Sequence, residues 1–162
     1  QDDGFAWVKK AAEQNFLRAL MQLSVWCDPE NYDEDDRPSF EDANASKEWG
    51  RAAYEQFKKK PDIEWIEWFV EIALEGSEEL ELTQDRKGAL KICQRLAVDH
   101  EEARLHVARM LQNGWGVEQS EERAQMLYAS LENGPFKDDA QYFATHPEAT
   151  LADLREHQFG GM

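Results

Sequence analysis

The chain has 162 residues, with 18 Lys and Arg against 34 Asp and Glu, and so a formal charge of −16. An apolar fraction of 41% with six Trp, eight Phe and four Tyr is enough to build a core and argues against wholesale disorder, in a length that suits one domain or one short repeat array. So large an acid excess disfavours nucleic-acid binding, which rests on Lys and Arg neutralising phosphates, and no run of about 18 apolar residues exists to make a transmembrane helix.

Apolar residues recur at three and four rather than two, and Ala, Leu, Glu, Lys, Gln and Arg fill most segments, which predicts an all-α chain. Helices are expected at 4–14, 16–27, 44–59, 62–75, 84–98, 100–113, 119–133 and 137–144, with a last short one near 149–157. Pro61, Gly76, Gly114, Gly116, Gly134, Pro135 and Pro147 fall between the apolar runs. One connection is unusual. DPENYDEDDRPSFEDA, residues 28–43, holds eight acids against one Arg and reads as a solvated insertion; it lacks the central Gly and ordered oxygen spacing of a calcium loop. Its densest run, Asp33, Glu34, Asp35 and Asp36, either solvates the loop or steers a basic partner electrostatically. Gln1 in place of an initiator Met points to a processed or trimmed start, no signal peptide is visible, and the compartment is left open between a bacterial cytoplasm and periplasm.

Residues that carry chemistry do not cluster. His100 and His106 stand six apart, not the three or four that puts two ligands on one helix face, and His146 and His157 lie in the C-terminal tail. No G-x-S-x-G, Cys–His or phosphate-cradling glycine motif occurs, and paired carboxylates carry no signal where acids are so abundant. The expectation is therefore no catalytic residues, no metal and no cofactor. Cys27 and Cys93 lack C-x-x-C spacing and sit among helical apolar residues, so buried free thiols are expected, with a single bridge between them as the alternative.

Internal similarity is visible. Ala19, Trp65 and Ala103 put three first helices in register at intervals of 46 and 38 residues. AWVKKAAEQ from Ala6, KEWGRAAYEQ from Lys47, LKICQRLAVD from Leu90 and QMLYASLENG from Gln125 align as second helices, with small residues recurring at Ala11, Ala12, Ala52, Ala53 and Ala97. The segment EEARLHVARMLQNGWGVEQSEERAQMLYASLENG, from Glu101 to Gly134, resembles the Sel-one-like repeat family, α-solenoid relatives of the tetratricopeptide repeats. Asn113, Gly114, Gly116 and Val117 carry the turn signature, and Ala124 and Tyr128 fall at matching second-helix positions. WVKKAAEQNFLRALMQLSVW from Trp7 is similar to the family's run between two helices, with Asn15 where Gly is usual. LTQDRKGALKICQRLAVDHEEA from Leu82 is similar to the turn-to-helix stretch without the G-x-G.

The resemblance implies a single right-handed solenoid of about three degenerate repeats over residues 4–134, with a divergent C-terminal cap at 135–162. It also implies a monomeric, non-catalytic module that holds another protein on a concave face. The ladder implied for that face is Arg18, Gln22 and Val25 in the first unit, Glu64, Trp68 and Glu71 in the second, and Glu102, His106 and Arg109 in the third. Trp68 either anchors a partner or packs into the core with Trp65 and Phe69, and Trp115, at the turn tip, either caps the next repeat or stands exposed. The acid excess favours a partner with a basic surface, and an immunity protein neutralising a cognate bacterial toxin fits that chemistry. The rivals are a scaffold segment of a larger repeat protein, since the chain opens on a second-type helix, and a hydrolase supported only by scattered acids and four His.

Overall fold

The computed structural model describes residues 2–36, 38 and 42–160. Arg37 and Ser39 to Glu41 of the acidic insertion, and the C-terminal Gly161 and Met162 expected as a loose end, lie outside the described residues. Among those described, the chain is all-α, with nine α-helices and no strand. Where the sequence implies one array, two compact units form: Gln1–Pro61 with Ser77–Leu82, and Asp62–Gly76 with Thr83–Met162.

The first unit holds α1 (Asp2–Glu13), α2 (Leu17–Cys27) and α3 (Ala43–Lys59), each packed on its chain neighbour. Leu20, Leu23, Ala53 and Phe57 form its core, with Ala12 also buried. Two reciprocal hydrogen bonds pin α2 to α3: Ser24 Oγ donates to the Ser46 carbonyl at 3.1 Å, and Ser46 Oγ donates to the Ser24 carbonyl at 2.7 Å. The acidic insertion leaves and rejoins this pair at one point, because the Asp42 amide donates to the Cys27 carbonyl at 2.8 Å. Short 3-10 turns at Pro29–Asn31 and Glu34–Asp36 break up the expected loop, and Asp28 and Asp42 accept backbone amides at the starts of the first of these turns and of α3. Segment 77–82, closed by the Ser77–Leu82 bridge, is held on α3 by Arg51 and Lys47 pairing with Glu81 at 2.9 and 3.6 Å.

The second unit begins with a 3-10 turn, Ile63–Trp65, and continues through α4 (Ile66–Glu75), α5 (Arg86–Leu96), α6 (Glu101–Asn113), α7 (Glu121–Ala129), α8 (Lys137–Thr145) and α9 (Leu151–Phe159). From α4 to α8 each helix packs on the next, and α6 also packs on α8. Asp85, Ser120 and Thr150 accept amides at the starts of α5, α7 and α9, the last in a full capping box with Asp153. α6 ends on Gly114 in the left-handed region, φ 70° and ψ 31°. Gly116, at φ 71°, lies against α5, where a Cβ would stand 2.5 Å from the Arg86 carbonyl. α6 is buried without interruption from Leu105 to Gln112, which makes it the central helix of the unit rather than an amphipathic rung.

Candidate functional site

The functional candidate lies in the second unit, on the face shared by α4, α6 and α8, and the chain itself covers it. After α8 the chain turns back, and α9 lays Leu151 and Leu154, only 3% and 5% exposed, against the unit. Arg155 on α9 pairs with Glu67 at 2.8 Å and with Glu71 at 3.4 Å, both on α4, and Gln158 donates to Asp139 on α8 at 2.7 Å. Residues 151, 154, 155 and 158 follow the i, i+3, i+4, i+7 spacing of a helix seated in a groove. Side chains of α6 tie down the segment that precedes it. Gln112, Asn113 and Arg109 donate to the carbonyls of Ala144, Pro147 and Ala149 at 3.2, 2.6 and 3.1 Å.

Two residues of the implied ladder are therefore interior. His106 and Arg109 were expected to face a partner, but they are 1% and 3% exposed, since α6 has helices or the returning chain on every side. Burial, reinforced by the neighbouring Arg109 charge, pushes His106 down to about 3, so it is neutral at ordinary pH. Arg109 stacks on Phe143 at 4.2 Å and on Trp115 at 5.7 Å, and one guanidinium nitrogen stands 3.4 Å from His106 Nδ1. Burial lowers Arg109 to about 10, and Glu75 and Glu71 oppose the shift. The Nε atoms of Arg109 and His106 Nε2 are buried with no hydrogen-bond partner. A cavity of about 30 Å³ adjoins Arg109, between Glu71, Leu74, Trp115 and Leu151.

Carboxylates converge on the same face. Burial raises Glu102, on α6, to about 7, with Glu67 and Asp139 adding like-charge repulsion. Asp139 is also raised, chiefly by burial, while the Gln158 hydrogen bond works in the opposite direction. Glu67, Glu71, Glu102 and Asp139 thus share a face with Arg155, which Glu67 and Glu71 hold above its ordinary pKa. Such a face attracts a positively charged group.

The remaining predicted residues divide by location. Arg18, Gln22 and Val25 are exposed on α2 in the first unit. Glu64 is exposed in the 3-10 turn, while Trp68 and Glu71 on α4 and Glu102 on α6 are half-buried. Asp33, Glu34, Asp35 and Asp36 are exposed. Asn113 donates to the Arg109 and Pro147 carbonyls, and half-buried Trp115 lies over Arg86 at 5.3 Å and beside the cavity lined by Ala149 and Leu151, so the turn tip does not stand free. Cys27 and Cys93 are both free and buried. Among the described residues, no group of three or more His, Cys, Asp or Glu side chains is placed to hold a metal ion.

Sequence reasoning missed Glu67, Asp139, Arg155 and Gln158. The spacing of Leu151, Leu154, Arg155 and Gln158 was the available signal for a docked C-terminal helix, whereas Asp139 and Glu67 meet only through the fold. It also missed an open cleft of about 810 Å³ beside α8 and α9, where Tyr142 stacks on His146 at 4.5 Å and on His157 at 4.7 Å, with Asp153 and Glu156 on its walls. Comparison of the chain with protein-family models, with curated proteins and with solved structures finds no match.

Proposed function

We propose that this chain is a protein-interaction module without catalysis of its own, built on Sel-one-like solenoid repeats, that binds a basic partner protein and acts as an immunity protein or inhibitor. The observation that carries this reading is the convergence of Glu67, Glu71, Glu102 and Asp139 on one face of a chain with a net charge of −16. Burying the Glu102 and Asp139 carboxyls beside Glu67 costs stability, and a cationic partner surface recovers it. Arg18, Gln22, Val25, Glu64 and Trp68 are the further contact candidates, and Asp33 to Asp36 supply long-range attraction that raises the association rate. Masking a cationic active site is the inhibitory mode that this charge distribution suits.

The test is affinity capture with the intact chain at low and high salt, followed by mass spectrometry and by repetition with the Glu67→Gln, Glu71→Gln, Asp139→Asn triple variant. A basic protein, encoded beside this chain, that is lost at high salt and with the variant is the expected result. Capture that ignores both salt and the substitutions refutes the electrostatic reading, and turnover of a hydrolase substrate above background refutes the absence of catalysis.

A further inference from the structure

The fit between α9 and its groove is incomplete in three places. Gln158, a neutral side chain, faces the Asp139 carboxylate. Glu102 has no ion-pair partner among the described residues, and burial beside Glu67 and Asp139 holds its carboxyl up at about 7. Arg109 keeps a buried Nε without an acceptor beside a small cavity at the start of α9. The anchoring itself is helix-in-groove recognition, with two leucines, an arginine and a glutamine on one stripe. Arg155 and Glu67 are each about half exposed, so their pairing contributes little and dissociates readily.

We propose that the face of α4, α6 and α8 is the partner-binding groove, that its occupant is an amphipathic helix of the partner bearing two or more Arg or Lys on its apolar border, and that α9 is a built-in competitor which this helix displaces. This rests on the basic-partner reading above and adds the shape of the ligand and the means of regulation. A cation at the place of Gln158 pairs with Asp139 and so relieves its repulsion of Glu102, and a partner helix with arginines at both the 155-like and 158-like positions outcompetes α9. The tethered α9 sets a threshold: weakly basic helices fail against its high local concentration, and strongly basic ones succeed.

The experiment uses the full chain and a fluorescent synthetic peptide of residues 149–160 carrying Gln158→Arg, with a scrambled peptide as control. Three proteins are titrated by anisotropy: wild type, Arg155→Glu, which repels Glu67 and Glu71, and Gln158→Arg, which strengthens the internal helix. Amide exchange across 151–159 is measured in parallel. Arg155→Glu is expected to expose α9 to exchange and to bind the peptide about tenfold more tightly than wild type, and Gln158→Arg to slow exchange and weaken binding. Equal peptide affinity in all three proteins overturns the proposal, as does equal binding of the scrambled peptide. If Arg155→Glu loses its helical circular dichroism, Gln158→Arg still decides, because tightening the latch must lower peptide affinity. The two readings fail separately: a captured basic partner that is insensitive to both α9 variants removes the competitor and leaves the function, whereas peptide exchange with no basic partner from the capture experiment does the reverse.

Discussion

Gly114 and Gly116 have nearly the same positive φ, 70° and 71°, but different surroundings, so replacing each by Ala separates backbone strain from close packing. At Gly114 the new Cβ meets Gln119 Cβ at 3.3 Å, a contact that a few tenths of an ångström of movement relieves. The cost there is the left-handed backbone alone, about 1–2 kcal/mol. At Gly116 the same strain is joined by overlap with the Arg86 carbonyl carbon and oxygen, both 2.5 Å away, and with the Lys87 nitrogen at 2.8 Å. Backbone of α5 cannot swing aside as a side chain does, and overpacking of this kind adds about 1–3 kcal/mol. Gly116→Ala is therefore expected to destabilise the second unit by about 2–5 kcal/mol. In a chain of this size each kcal/mol lowers Tm by about 2–4 °C. Urea titration followed at 222 nm, with Trp fluorescence to report the Trp115 turn, measures both variants. If Gly114→Ala costs as much as Gly116→Ala, the close approach of the turn to α5 is not what Gly116 serves, and the reasoning fails.

The pH dependence of stability has a definite sign. Glu102 is raised in the folded chain from 4.5 to about 7, so folding favours its protonated form; its contribution is fully present below pH 4.5 and is lost as pH rises to about 7. Facing it are Glu67 from α4 and Asp139 from α8, so in Glu102→Gln the urea midpoint is expected to fall less between pH 4.5 and 7 than in wild type; identical slopes refute this. Cys93, buried and pushed up to about 12, and Cys27, also buried and raised, are expected to resist iodoacetamide at pH 8 in the native chain and to react fully in urea, as read by mass; labelling of either thiol under native conditions contradicts its placement. Tyr128→Phe removes a buried hydroxyl that donates to Gln112 Oε1 at 2.8 Å, and leaving that acceptor unsatisfied is expected to cost about 1–3 kcal/mol in the same urea assay. A neutral result means that the Gln112 link from α7 through α6 to the Ala144 carbonyl is dispensable.

Much of the secondary structure was legible. Each expected helix exists, with ends displaced by a few residues: 100–113 became Glu101–Asn113, and 119–133 shortened to Glu121–Ala129. The expected helix at 62–75 splits, because Trp65, at φ −112° and ψ 13°, separates a 3-10 turn from α4. The candidate site was legible only in part. Glu71 and Glu102 are half-buried beside the other carboxylates, whereas His106 and Arg109, placed with Glu102 in the implied ladder, are interior. Spacing along one helix fixes which side chains share a face, and says nothing about how many neighbours that helix acquires.

Local patterning alone determined the all-α class and the caps at Asp42, Asp85, Ser120 and Thr150, because each of these is satisfied within a few residues of chain. Only the tertiary structure decided that α6 is central, that α9 returns to α4 across 88 residues of sequence, and that Glu67, Glu102 and Asp139 perturb one another. Charge interaction and burial depend on distance in space, and that distance is set when helices far apart in the chain pack together.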